Sequence, residues 1–153
     1  MREILFRGKR IDNGEWVEGY FVYDESEQMM EGAVAHICHL NKHPCGWSLL
    51  DFEVDPETVG QYTGLADKSG KRIFGGDVVE YNDGYDCFKG EVVLEAGAFG
   101  MWTRETIGLK NSRCDNYVRL CDLFCAKEAT DEPELYYCTV IGNIHDNPKL
   151  LEV

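Results

Sequence analysis

Short runs of β-prone residues alternate with turn residues along most of the chain. In the run Trp16–Tyr23, successive side chains fall on opposite faces and both faces are partly apolar, which predicts a strand packed on one side and partly covered on the other. In the run Phe88–Glu95, Val92 and Leu94 share one face, as expected for a half-buried antiparallel strand. Further strands are predicted at Ile4–Gly8, Ala33–Leu40, Thr58–Thr63, Gly75–Tyr81, Gly97–Thr103 and Tyr136–Ile144.

Turn residues mark the points where these strands reverse. Asn13-Gly14 supplies the positive φ angles of a tight hairpin. The segment Asp67–Gly70 places aspartate at the start of a turn and glycine where a left-handed residue is needed. Short, closely spaced strands broken by glycine turns favour a small all-β barrel or sandwich over βαβ units.

Four segments lack a clear strand pattern. Residues 24–31 are acidic and polar, and Asn41–Leu50 contains proline and glycine, so an irregular flap is expected at about residues 24–50 of a single domain spanning residues 1–153. Tyr117–Cys125 fits either a strand or the start of a short helix near Asp122. Asn147-Pro148 predicts a terminal helical turn in which the asparagine side chain accepts from the following amides.

Composition indicates a globular, cytosolic protein. The 153 residues are 44% hydrophobic, and no apolar run approaches the roughly 18 residues that cross a bilayer. The N-terminus has charges where a signal peptide needs its apolar segment. Seven cysteines at irregular spacing fit free thiols in a reducing compartment better than a disulfide framework.

The charge balance is strongly acidic. Fifteen Lys and Arg against 28 Asp and Glu give a net charge of −13, which disfavours direct nucleic-acid binding because such binding rests on cations that neutralise phosphates. A local basic cluster exists at Arg2, Arg7, Lys9 and Arg10. Its favoured interpretation is a solvated edge strand guarded by charge.

Five zinc-compatible side chains lie within ten residues, namely His36, Cys38, His39, His43 and Cys45. No C-x2-C pair is present to form half of an ordinary zinc site, although Cys121-x3-Cys125 offers a second pair of thiols. A surface flap is favoured over a structural zinc site. We therefore expect no metal and no other cofactor, and keep these five residues as the zinc candidates.

No motif points to catalysis. No Cys or Ser is placed beside a base in a recognisable pattern, and Gly75-Gly76-Asp77 lacks the lysine and helix of a phosphate-binding loop. That segment is interpreted as a tight entry to a strand, with Asp77 bonding turn amides. Turn-stabilising roles are likewise expected for Asp55, Glu57 and Asp67. No catalytic or cofactor-binding residue is assigned, and a non-enzyme is expected.

Several segments match a known family in order and spacing, namely Phe6–Arg10, Gly14–Gly19, Val54–Leu65, Asp67–Ile73, Gly76–Val79, Val140–Ile144 and Asn147-Pro148. Through these segments the chain resembles the YopX family, small proteins encoded mainly by bacteriophages and prophages. The resemblance implies an all-β fold with an SH3-like barrel, a phage context and no established activity, so no catalytic residues are carried over. The region His36–Leu50 and the cysteines after Cys114 look peculiar to this chain.

These observations predict a phage accessory protein that acts as a non-enzymatic interaction module. It is expected to assemble with itself or to bind a host or phage protein in the bacterial cytoplasm, since exposed strand edges need partners or protection. One alternative is a modulator of nucleic-acid transactions, either a barrel associated with nucleic acid or an acidic mimic of DNA. Another is an unrecognised enzyme or zinc-binding protein that uses the Cys and His residues.

Overall fold

The computed structural model describes residues 3–24, 34–103, 116–123 and 134–152. Among them, the secondary structure is almost entirely antiparallel strand, which confirms the all-β prediction. The loop predicted at residues 24–31, apart from Asp24 itself, lies outside the described residues, as do Arg2, Cys114 and Cys125. The strands are β1 Phe6–Arg10, β2 Trp16–Asp24, β3 Val34–His43, β4 Gly46–Asp67, β5 Arg72–Phe74, β6 Asp77–Asn82, β7 Cys87–Glu95, β8 Ala98–Trp102, β9 Tyr117–Arg119, β10 Glu134–Leu135 and β11 Cys138–Asn143.

The chain divides into two compact units, Met1–Tyr62 and Thr63–Val153, and each is described by itself. The single domain expected for residues 1–153 stays a prediction.

In the first unit, strands β1 to β4 close into a ring. Each strand pairs antiparallel with the next, and β4 returns to β1 with Phe6 opposite Gln61 and Arg10 opposite Val54. The inner face carries the fully buried Ile37 and Val54. The edge strand expected for the basic cluster is therefore wrong, because β1 has a neighbour on both sides. The ring is a small barrel-like arrangement, and the SH3-like topology stays a prediction.

Two glycines show how the sequence positions the strands of the ring. One lies in the turn at Asn13-Gly14, and the other lies where β2 pairs with β3. Gly14 has a φ of 72°, and its amide donates to the Arg10 carbonyl at 3.0 Å, as the Asn-Gly pair predicts. Gly19 is buried against β3, where an added Cβ would collide with the backbone carbonyl of Cys38. The close approach of these two strands requires a glycine there.

The segment expected as an irregular flap is, where described, a regular β-hairpin. Strands β3 and β4 pair without a break from Ala35–Val54 to His43–Gly46, and the two-residue turn Pro44-Cys45 joins them. Beyond Cys38, β2 no longer pairs with β3, and β1 pairs with β4 only from Val54 onward. We call the projecting part, residues 39–50, the arm. In the described part of the chain its strands pair only with each other.

The second unit contains a five-stranded antiparallel sheet in the order β11-β6-β7-β8-β9. The C-terminal end of β4 also belongs to this unit, where it pairs with β5 and, in parallel, with β10. Alternation on β7 buries Val92, as the sequence predicts, together with Phe88, whereas Leu94 on the same face is exposed. The core residues of the unit include Ile73, Val79, Phe88, Val92, Met101, Val118, Leu120, Leu135 and Cys138.

Two single turns of 3-10 helix are present, one in the segment where the sequence left strand or helix open and one where it predicts a terminal helical turn. One spans Leu120–Leu123 directly after β9, and the other spans Pro148–Leu151 with proline in its first turn. The expected asparagine cap is wrong: the Asn147 side chain makes no capping hydrogen bond, and its backbone carbonyl accepts from the Leu150 amide at 3.0 Å instead. None of the helical segments that the structure describes is long and apolar enough to span a membrane.

Candidate functional site

The five zinc candidates do not converge on one point. Along β3, side chains alternate between faces, so His36 and Cys38 lie on one face while His39 and His43 lie on the other. Cys45 occupies the exposed turn at the end of the arm. Within the described residues, no group of three or more His, Cys, Asp or Glu side chains has a metal-binding arrangement. Metal binding by the candidates stays untested.

Asp51 joins the two candidates on the first face. Its Oδ1 lies 2.8 Å from Nδ1 of His36 and accepts from the Cys38 thiol at 3.6 Å. Burial raises the pKa of the Cys38 thiol above its ordinary value of 9.0, and the negative charge and hydrogen bond of Asp51 raise it further. Because the thiolate is the nucleophile, this arrangement weakens Cys38 as a reactive group.

The remaining candidates contact neighbours at the surface. Nε2 of His43 lies 2.7 Å from the Ser48 hydroxyl across the arm. Cys121, the described member of the second thiol pair, is exposed and contacts the Asp122 carboxylate at 3.8 Å. These contacts tie the Cys and His side chains to local partners.

Three of the four carboxylates that were predicted to stabilise turns in the central stretch do so. Asp55 accepts from the Glu57 amide at 3.0 Å, and Asp77 accepts from the Phe74 amide at 2.9 Å. Asp67 accepts from the amides of Ser69 and Lys71 in the predicted turn. A turn-stabilising role for the Glu57 carboxylate stays a prediction.

A cleft of about 260 Å³ opens beside Asp51 in the first unit. The Arg10 guanidinium lies 4.6 Å from the centre of the Phe52 ring and donates to Asp12 at 2.9 Å. The cleft is smaller than ordinary small-molecule sites. Its lining residues are Arg10, Ile11, Asp12, Asp51, Phe52 and Glu53, which include no nucleophile paired with a base.

The most unusual surface of the first unit is the side of β2, β3 and β4 that faces away from the ring interior. Strand registers place Tyr20 beside Cys38, and Leu40 beside Leu49, on this side. We call it the outer face. Its large apolar side chains are strongly exposed: Trp47 at 67%, Leu49 at 62%, Tyr20 at 54%, Leu40 at 53% and Val22 at 50%.

The arm is exposed on both sides, because Leu50, at 40%, belongs to the opposite face from Leu49. A projecting hairpin with apolar residues on both faces and unpaired outer edges is a structure that proteins ordinarily protect or use for binding. The residue pattern did not predict this surface, because a strand exposed on both faces has no alternation of apolar and polar residues.

Charge is distributed unevenly along the outer face. The arm, residues 39–50, contains no Asp or Glu in a chain that has 28 of them, and it contributes Lys42. The ammonium of Lys42 lies 5.5 Å from the centre of the Trp47 ring. The other end of the outer face carries Asp51 and Glu53, both exposed. The outer face is therefore basic and apolar at its tip and acidic at its base.

Comparison with known proteins establishes the family. The model of the YopX protein family matches residues 5–152, nearly the whole chain. The chain belongs to the YopX family.

A solved structure shares the fold. The crystal structure of protein EF1440 from Enterococcus faecalis is similar at 23% sequence identity with a TM-score of 0.52, covering 99% of this chain and 100% of that one. No curated protein matches the chain. At this identity the likeness concerns the fold alone.

Proposed function

We propose that this protein is a non-enzymatic accessory protein of a bacteriophage or prophage, which acts in the bacterial cytoplasm by binding another protein chain. The observation that supports this proposal is the outer face, where Leu40, Trp47 and Leu49 are each more than half exposed on one surface of the arm. Clustered exposed apolar side chains mark binding surfaces, whereas single ones are ordinary. Exposed tryptophan adds to this, because it is enriched among residues that dominate binding energy.

The partner class follows from charge. A net charge of −13 repels nucleic-acid backbones, and Lys42 is the one Lys or Arg in the arm sequence. Apolar side chains on a strand surface instead suit another packed protein surface. Protein binding is therefore favoured over nucleic-acid binding.

Size-exclusion chromatography with light scattering, followed by affinity capture from host lysate, tests the proposal. Wild-type protein is expected to self-associate or to retain a specific protein, and Trp47→Ser is expected to lose that association. Leu94→Ser is the matched control, because Leu94 is 54% exposed on β7, outside the first unit. A strictly monomeric wild-type protein that captures nothing would overturn the proposal, as would equal loss in both variants.

A further inference from the structure

We infer that Asn13 is a site of spontaneous deamidation, and that the hydrogen bonds of the turn between β1 and β2 hold the reaction back while the chain is folded. The inference goes beyond the proposed function, since it concerns residues 11–15, outside the arm, and a reaction that needs only water. Two observations support it: the exposed dipeptide Asn13-Gly14 and the hydrogen bonds that surround it.

Asn13-Gly14 has the residue types that favour this reaction. The nitrogen of the following residue attacks Cγ of asparagine, a new N–Cγ bond closes a succinimide ring, and the Cγ–Nδ2 bond breaks. The proton of the attacking nitrogen leaves with the ammonia, and water then opens the ring to an aspartyl or isoaspartyl residue. Glycine favours the attack because it has no Cβ to crowd the nitrogen. The surroundings of Gly14 are also open, since an added Cβ would lie 3.7 Å from Cε of Lys9, an ordinary contact distance.

The attacking nitrogen is held in the folded turn. The Gly14 amide donates to the Arg10 carbonyl at 3.0 Å, and the Arg10 amide donates to the Glu15 carbonyl at 2.9 Å, which closes the loop across its base. The reaction requires the Gly14 nitrogen to lose its proton. The hydrogen bond to Arg10 must therefore break before the attack.

The Asn13 side chain is held at both ends by Glu15. Its Nδ2 donates to Oε2 of Glu15 at 2.9 Å, and its Oδ1 accepts from the Glu15 backbone amide at 3.0 Å. Cγ of Asn13 must turn toward the Gly14 nitrogen to react, which breaks both bonds. Deamidation is therefore expected to proceed through local opening of the turn, a motion that costs less than global unfolding.

Conversion would change the turn that joins β1 to β2. The aspartyl product replaces the Nδ2 donor with a carboxylate oxygen, which is repelled by the Glu15 carboxylate that Asn13 binds. The isoaspartyl product adds a methylene group to the backbone within the loop that the bond from Gly14 to Arg10 closes. Both products are expected to loosen the β1–β2 hairpin.

Peptide mass spectrometry of the full chain, incubated at mildly alkaline pH with and without urea, tests the inference. In urea, Asn13 is expected to convert faster than Asn82, which is followed by Asp83 and not by glycine. Without urea, Asn13 is expected to convert at least about tenfold more slowly than in urea, because each hydrogen bond that must break first reduces the reactive population a few-fold.

Two variants assign this protection to Glu15. Without urea, Glu15→Ala is expected to accelerate conversion of Asn13 about twofold to tenfold, the effect of losing one hydrogen bond. Glu15→Gln retains an acceptor oxygen for Nδ2 of Asn13 and is expected to accelerate it less.

Three results would overturn the inference. An Asn13 that stays unconverted in urea overturns the modification site itself. Equal rates with and without urea overturn protection by the folded turn. An unchanged rate in Glu15→Ala, or equal acceleration in both Glu15 variants, overturns the role of the side-chain hydrogen bond to Glu15.

Discussion

Asp67 is the residue whose removal should destabilise the second unit most clearly. Its side chain is 1% exposed, and its Oδ1 accepts from the Ser69 amide at 2.8 Å, the Ser69 hydroxyl at 2.6 Å and the Lys71 amide at 3.0 Å. Its Oδ2 accepts from the amide of Val140, 73 residues away, at 3.0 Å. One carboxylate thus holds the turn after β4 and anchors β11.

The cost of Asp67→Ala follows from these contacts. The Val140 amide would remain in a buried strand without its acceptor, which costs about 1–3 kcal/mol. The Ser69 and Lys71 residues are exposed, so water replaces the acceptor there and each lost bond costs about 0.5 kcal/mol. We expect the free energy of unfolding to fall by about 3 kcal/mol. With a denaturant slope of about 2 kcal/mol/M, the urea midpoint would fall by about 1.5 M.

Asp83→Ala is the control for this measurement. Asp83 also accepts several hydrogen bonds within a turn, from the amides of Tyr85 and Asp86 and from the Tyr81 hydroxyl, but it is only partly buried. Asp83→Ala should therefore lower the urea midpoint much less than Asp67→Ala does. A loss below about 1 kcal/mol for Asp67→Ala, or an equal loss for both variants, would refute the reasoning from burial.

Acid should reduce the contribution of Asp67 to the free energy of unfolding. Burial by itself raises the pKa of this carboxyl, but the hydrogen bonds from Ser69, Val140 and Lys71 together outweigh it and hold the pKa below the ordinary 3.8. A lowered folded-state pKa gives stability that is fully present above 3.8 and is lost as the pH falls through the folded-state value. The gap in urea midpoint between wild type and Asp67→Ala should therefore narrow below about pH 4. A gap of constant size would contradict the assignment.

Two further predictions concern the first unit. Gly19→Ala should lower the stability of the first unit by about 1–3 kcal/mol, because the new methyl group collides with the backbone carbonyl of Cys38. Thermal unfolding measures this loss, with a substitution at an exposed residue, Glu57→Ala, as the control. Equal stability of the two variants would contradict the prediction. Iodoacetamide should alkylate Cys45 faster than Cys38 at pH 8. Cys45 is exposed, whereas the pKa of the Cys38 thiol is raised first by burial and then by the neighbouring Asp51. Peptide mass spectrometry follows both thiols, and Asp51→Asn should accelerate Cys38; equal rates in wild type would count against the raised pKa.

Local chemistry explains why several turns were predictable. Asn13-Gly14, Asp67–Gly70 and Gly75–Asp77 each contain the side chain or glycine that closes the turn, and their hydrogen bonds join residues two to four positions apart. The β7 strand was predictable for a similar reason, because alternation of apolar and polar residues is a local signal, although the exposed Leu94 shows that the alternation alone does not decide which residues are buried. The cap predicted at Asn147 did not form because the backbone there, with φ −131° and ψ 55°, lies outside the extended conformation of an ordinary N-cap, and residue type does not decide that conformation.

Long-range pairing explains what was missed. Whether β1 is an edge strand or an inner strand depends on the pairing of Phe6 with Gln61. A basic segment with charges on alternate residues has the same sequence pattern whether it has one neighbouring strand or two. The zinc candidates looked like a cluster because they are close in sequence. Regular strand geometry separates His36 and Cys38 from His39 and His43, since successive side chains point to opposite faces.

Residue type and local spacing were sufficient to predict the all-β class, the family and several turns. The position of the candidate binding surface became apparent only from the way the strands pair. The arm becomes a surface through cross-strand pairing, in which Leu40 meets Leu49 and Lys42 meets Trp47. Its exposure on both faces results from β1 and β2 ending their pairing at its base. The hairpin itself is local, with Pro44-Cys45 between its strands, but the point where β1 stops pairing depends on contacts between strands that are distant in the chain.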